Sequence, residues 1–287
     1  MLWNGGPHPS LILGTSNVGS TYNDDGLGTQ VTTGTANTKG SNTNLINGLA
    51  ATAYGLSVFI CGTSSSGVNR RLMVDILIDY GAGVGNAGSS WSVLIANLYV
   101  VCPTFGSAGA SGCSFYFPII IPQGAALGAA AQSNQTTLTP RVTLSLPTYN
   151  SRPEGLVYGT QVQTLGATTG STTGVSVTPG TNAKGSYSAS LGTLNRNSFY
   201  FQMGIGTADT SMTANGYLFD LAAGPSQEKM CIFDMAYGVA GGAEQAYKFW
   251  QYLAQRVIPA GSNIYVRGAG CGGAPDSSMD VVGYAVS

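Results

Sequence analysis

One polar pentapeptide occurs twice, and its spacing constrains everything else. Asn37-Thr38-Lys39-Gly40-Ser41 returns as Asn182-Ala183-Lys184-Gly185-Ser186, a shift of 145 positions. The same shift aligns Asp75 in MVDILI with Asp220 in YLFDLA, and Ile12-Leu13-Gly14-Thr15 with Val157-Tyr158-Gly159-Thr160. Further along the shift becomes 137, where Ile121-Pro122-Gln123-Gly124 answers to Ile258-Pro259-Ala260-Gly261. Two constant offsets separated by one deletion describe an internal duplication covering nearly the whole chain. A chain of 287 residues written this way is expected to form two domains, each able to bury roughly two-thirds of its unfolded surface.

The regular apolar runs are strand-sized and alternate with turn signals, which predicts β-structure throughout. Candidate strands are Leu11–Leu13, Gln30–Thr33, Tyr54–Cys61, Arg71–Tyr80, Ser92–Cys102, Phe115–Ile121, Ala125–Gln132 and Arg141–Leu146. Short strands separated by turns point to a sandwich or jelly roll. The expected fold is therefore all-β: two tandem, duplicated antiparallel β-sandwich (jelly-roll-like) domains. Residues 1–9 are a Pro/Gly-containing lead, 10–149 the first copy, 150–154 a linker rich in Pro and charge, and 155–287 the second copy. One segment conflicts locally. Glu244–Val257 spaces Ala246, Phe249, Trp250, Leu253 and Val257 as a helix would. Its partner by offset is FYFPIII, a strand pattern, so 249–258 is expected to be largely strand.

Composition excludes several functions. Eleven Lys plus Arg face twelve Asp plus Glu, with no basic stripe of the sort a nucleic-acid partner needs. Apolar runs are far too short to span a membrane as helices, and the start shows no signal-peptide pattern. The forty-two glycines sit beside fifteen tyrosines, which supply a core that disordered chains lack. Low charge with many small residues suits a surface that packs against other protein.

Candidate chemistry is sparse. Gly83-Val84-Gly85-Asn86-Ala87-Gly88 spells the dinucleotide fingerprint, but the residues that follow read as strand rather than the helix that pyrophosphate binding requires. His8, the one histidine, lies between two prolines, so a Ser-His-Asp triad has no sound base to use. Asp75 and Asp79 are four apart on a strand, about 13 Å by strand rise, too far for a glycosidase pair. Asp24-Asp25 lacks the oxygen count calcium wants. Asp75 and Asp220 are read as solvent-side or turn-bonding residues. No catalytic, cofactor or metal residues are assigned. Cys61, Cys102, Cys113, Cys231 and Cys271 fit no zinc spacing. They read as buried thiols, with Cys102–Cys113 and inter-subunit pairing as the alternatives. Tyrosines and tryptophans divide between core, interface and sugar-stacking roles. Lys39, Lys184, Trp91 and Trp250 are the residues expected to contact a partner.

Laid side by side, the copies share an order: the Asn-x-Lys-Gly-Ser turn, a strand carrying Asp (MVDILI, YLFDLA), an apolar strand (VLIANL, CIFDMA), then the Ile-Pro-x-Gly turn. This order resembles small β-sandwich virion proteins of tailed bacteriophages: head-decoration, fibre and other structural proteins. The resemblance implies a non-enzymatic particle component assembled in a host cytoplasm. It is expected to be a capsid decoration or cement protein that contacts the major capsid protein or neck and tail proteins. It also implies a homo-oligomer, a trimer being one expected form. A fibre or carbohydrate-receptor protein, and a double-jelly-roll major capsid protein, are the alternatives. No cofactor, nucleic acid or membrane partner is expected.

Overall fold

A computed structural model describes residues 10–13, 28–61, 70–102, 112–135, 138–148, 157–166, 174–187, 189–206, 215–224, 229–239, 248–271 and 279–287. The terminal lead and the proposed linker at 150–154 lie outside these residues. The first copy contains β1 (Ser10–Leu13), β2 (Thr29–Gln30), β3 (Thr43–Ile46), β4 (Ala53–Cys61), β5 (Arg70–Asp79), β6 (Ser92–Cys102), β7 (Gly112–Ile121), β8 (Ala126–Ser133) and β9 (Arg141–Pro147). In the second copy the strands are β10 (Val162–Leu165), β11 (Val175–Val177), β12 (Gly180–Thr181), β13 (Ala189–Thr193), β14 (Ser198–Gly206) and β15 (Asn215–Ala223). It continues with β16 (Lys229–Val239), β17 (Lys248–Ile258), β18 (Asn263–Cys271) and β19 (Met279–Val286).

Sheet order fixes the fold. In the first copy β1-β9-β4-β7 form one sheet and β3-β8-β5-β6 the other. The second copy has β10-β19-β14-β17 opposite β12-β18-β15-β16, with β13 also on β18. Strand for strand these are the same arrangement, and it is that of a jelly roll. β12 answers to the isolated parallel bridge Thr33↔Ala131 of the first copy. β17 is strand over Lys248–Ile258, so pairing with β14 overrides the helical spacing of its side chains.

Alternation builds each core. Along β4, Leu56, Val58 and Ile60 are buried against Phe115, Phe117, Val142 and Leu144, while Ser57 and Phe59 point the other way. The 145 offset holds from β4/β14 through β5/β15, and the 137 offset from β6/β16 through β8/β18. The deletion therefore falls in the β5–β6 connection, which is the Gly-rich 80–91 loop in the first copy and a shorter one in the second. The loop is held by a carboxylate. Asp79 accepts from the backbone N–H groups of Gly81 (2.9 Å), Ser89 (2.8 Å) and Ser90 (2.8 Å). One sequence alignment fails. In register, β1 plays the part of β10, since Ile12 lies opposite Ser145 and Thr164 opposite Tyr284. Val157–Thr160 is not the counterpart of Ile12–Thr15. It straps the copies together, with Gly159 N–H donating to the Pro118 carbonyl (2.8 Å) and Ile120 N–H to the Gly159 carbonyl (2.9 Å).

The two jelly rolls share a core. Tyr200, Val282, Tyr284 and Val286, on the outer face of the β10-β19-β14-β17 sheet, join the first copy's apolar cluster. That face covers the side of the first sandwich where edge strands β6 and β7 lie. Tyr284 is fully buried there, edge-on to Phe115 and Phe117 at 5.9 Å each. Its hydroxyl donates to the Asn97 carbonyl and accepts from Tyr99 N–H, both at 2.9 Å. Burial raises its pKa far above the ordinary tyrosine value, so it is a neutral phenol at any physiological pH. Tyr200 donates to the Tyr116 carbonyl (3.0 Å) with its ring edge-on to Tyr116, and Thr164 Oγ1 donates to the Ala96 carbonyl.

Two outcomes follow. Tyr284→Phe keeps the rings but removes the hydroxyl bonded to the buried Tyr99 N–H and the part-buried Asn97 carbonyl, so chemical denaturation should show a loss of about 1–3 kcal/mol. The Asp79 carboxyl is held below the usual carboxylate range by its three N–H donors, the Ser90 donor foremost. Its contribution is complete above the unfolded-state pKa and is lost as pH falls through the lower folded-state value. Amide exchange at Ser89 and Ser90 should therefore accelerate, beyond the intrinsic pH trend, only on strong acidification, and already at neutral pH in Asp79→Ala.

Candidate functional site

The repeated pentapeptide and the repeated aspartate meet. Lys39 Nζ donates to Asp75 Oδ1 at 2.6 Å, and Lys184 Nζ to Asp220 Oδ1 at 2.6 Å. Each lysine lies 36 residues before its aspartate. The turn that carries it is docked on the β8-type strand by matching bonds. Asn37 N–H donates to the Ser133 carbonyl and Asn182 N–H to that of Gly270 (2.7 and 2.8 Å); Gly40 and Gly185 do likewise to Ala131 and Gly268. Asn37 and Asn182 adopt φ of 60° and 56°, a left-handed conformation that asparagine tolerates. At Gly40 an added Cβ would stand 2.0 Å from the Thr32 carbonyl oxygen, so nothing larger fits.

The aspartates also govern the neighbouring strand. Register slips between Val74 and Ile76 against β6, and between Phe219 and Leu221 against β16, leaving a bulge in each. At the bulges Asn97 and Asp234 have φ of 53° and 51°. Asn97 N–H donates to Asp75 Oδ1 (2.7 Å) and Asp234 N–H to Asp220 Oδ1 (2.9 Å). Each carboxylate thus satisfies the N–H that the bulge removes from the ladder. Among the described residues, the four non-glycine positive-φ positions are these two duplicated pairs. Asp75 and Asp220 are therefore turn-bonding, and their burial (8% and 0% exposed) corrects the solvent-side expectation.

The second copy elaborates the strut. Arg267, opposite Asp220 in register, donates from Nε to Asp220 Oδ2 at 2.8 Å, where the first copy has Ala130 opposite Asp75. Lys184 also bonds Asp234, where the first copy has Asn97. Arg267 lies 4.5 Å over the Tyr187 ring and Lys184 4.2 Å over that of Phe233. Burial first, and Asp220 second, push the Tyr187 phenol up to about 12. Burial pulls the Lys39 ammonium below its ordinary value, and Asp75 counters this. Two cations and two carboxylates neutralise each other, and both Asp220 oxygens are committed to that network.

The structure places the residues expected to contact partners as follows. Lys39 and Lys184 turn inward to the aspartates. The Trp91 ring lies against the backbone at Gly88 and Gly128, where an added Cβ would stand 2.3 and 3.0 Å from it. Trp250 falls on β17, and its side chain lies outside the described residues. Cys113 is buried on β7 and Cys271 is an exposed free thiol. The side chains of Cys61, Cys102 and Cys231 lie outside the described residues. Gly83–Gly88 is a loop, with Asn86 N–H bonded to the Gly83 carbonyl (3.1 Å) and no helix behind it. Among the described residues no group of three or more metal-ligating side chains is found, and no helix there is long and apolar enough to cross a membrane. What sequence reading missed is an edge. On β16, Phe233 is 60% exposed beside exposed Asp234 and Ala236.

No family model and no curated protein matches this chain. Solved structures align with it only distantly. PNGF-II aligns at 9% identity over 86% of this chain and 59% of its own, with a TM-score of 0.35. The CBM22-1-CBM22-2 tandem domain of Paenibacillus barcinonensis Xyn10C aligns at 9% identity over 97% of this chain and 91% of its own, TM-score 0.25. Tripeptidyl peptidase 2 aligns at 8% identity over 97% and 26%, TM-score 0.28. This chain thus spans 59% of PNGF-II.

Removing either aspartate should separate the copies energetically. Asp220→Ala removes the carboxylate from half-buried Arg267 and leaves half-buried Lys184 with Asp234 alone, and is expected to cost about 3 kcal/mol. Asp75→Ala leaves one partly exposed lysine and should cost less. Urea unfolding of the two variants checks the order; equal losses would assign no weight to Arg267.

Proposed function

We propose that this chain is a non-enzymatic structural protein of a virus particle, and that it builds the shell itself as a double-jelly-roll subunit. One observation carries the reading: both copies have the same jelly-roll strand order and are joined through a shared core. One chain then supplies two building positions of the same fold, which a subunit repeated in closed symmetric rings can use. Jelly rolls recur in viral capsids but also in lectins and cupins, so this step is analogy from fold. Near-zero charge and an exposed apolar edge support an associating protein over a freely diffusing one. The partners are further copies of the chain, the site of action is the virion, and a cyclic oligomer such as a trimer is the building unit.

A decoration protein, the expectation given first from the phage resemblance, differs in one respect: it needs a preformed head. Purified recombinant protein, free of other virion components, should form closed shells or regular sheets under negative-stain electron microscopy. Protein that stays dispersed alone but binds preformed heads and protects them from heat would replace the shell reading with decoration. Selective capture on a glycan array without either behaviour would favour a receptor protein.

A further inference from the structure

The contact between the two jelly rolls has an unfilled counterpart. In the first copy the edge of β6 is covered by the second copy's sheet face: Thr164 bonds the Ala96 carbonyl, and Tyr284 bonds Asn97 and Tyr99. Shifted by 137, these three positions are Phe233, Asp234 and Ala236 on β16, and all three are exposed. The covering face has its own counterpart. Gln202, Gly204 and Tyr284 correspond in register to Ser57, Phe59 and Ser145 of the β1-β9-β4-β7 sheet. There Phe59 is 42% exposed beside half-buried Ser57 and Ser145. Phe59 and Phe233 are the large exposed phenylalanines among the described residues. The edge that the duplication leaves unused is thus exposed, and so is Phe59 at the centre of the unused face.

We infer that they are used on each other: the Ser57–Phe59–Ser145 face of one chain packs on the Phe233–Asp234–Ala236 edge of a second copy, repeating between chains the contact made within one. Continuity with the internal interface argues for this occupant, and so does chemistry. The internal face is Tyr and Val against the neutral edge of Asn97 and Tyr99. The half-buried hydroxyls of Ser57 and Ser145 can donate to the Asp234 carboxylate, which keeps acceptor capacity beside its bond to Lys184, and the two exposed rings supply the apolar centre. The contact is heterologous, so chains associate head to tail and close into a ring where the rotation permits. This deepens the shell reading but is tested on dispersed protein.

Light scattering over a concentration series reads the outcome. Wild-type chain should associate, whereas Phe233→Asp and Phe59→Asp should each stay monomeric. An equimolar mixture of the two variants should double in mass, since each supplies the surface the other lacks. Thermal unfolding shows whether each variant folds; should Phe233→Asp unfold, Ala236→Arg replaces it on the same edge. A monomeric wild type up to the millimolar range, a variant of wild-type mass, or a mixture that stays monomeric would overturn the inference. Shells that assemble regardless of these substitutions would sink it and leave the shell reading intact; association without shells would do the reverse.

Discussion

The bond on which each sandwich depends joins a turn lysine to a strand aspartate 36 residues later. A bulge in the next strand removes one N–H from the ladder, and a buried N–H without a partner is costly. The aspartate answers that N–H. A carboxylate under a covering turn then needs a cation, which the turn provides. Bulge, aspartate and lysine form one unit, and none is stable in that position without the other two. The ion pair itself adds little net stability, because desolvation consumes most of the Coulombic gain. What it supplies is register: a one-residue slip of β5 or β15 would move the carboxylate away from both partners and put its apolar neighbours on the wrong face.

Evolution of the two copies has kept that unit and changed its rim. Asn97 became Asp234 and Ala130 became Arg267, or the reverse, so the added charges balance within the second copy. The Arg267 guanidinium takes the Asp220 oxygen that the first copy leaves for other contacts, and Lys184 gains a second carboxylate. Where the edge is covered inside the chain, the positions are neutral. Charge sits where the edge is open, which agrees with the lower cost of a carboxylate at a solvent-facing or intermittently covered surface.

Much of the fold was legible because duplication doubles weak signals. Strand length and alternation predicted β-structure, and the offset outvoted the helical spacing of Phe249, Trp250 and Leu253. The two repeated elements were both visible as conserved marks between copies. Their contact was not, because a lysine in a polar turn reads as exposed and an aspartate on an apolar strand reads as solvent-side. Only topology brings β5 beneath the turn between β2 and β3. The bulges left no trace either, since asparagine and aspartate at Asn97 and Asp234 look like ordinary polar positions until register is known. The alignment of Ile12 with Val157 failed for a related reason: short apolar tetrapeptides match by chance, and pairing with β9 and β19 decides equivalence.

The interface between the copies shows why a tandem duplication persists as one chain. A single jelly roll of this type has a side, at its β6 and β7 edges, that its own two sheets do not close, and Tyr284 enters the first core there. Edge strands left open invite association. Fusing two copies closes that side once and leaves it open once, at β16. The chain is thus internally satisfied at one end of the series and unsatisfied at the other. On the proposed shell reading this asymmetry is useful, because fusion would fix half of the contacts before assembly begins and leave the remaining half to depend on concentration.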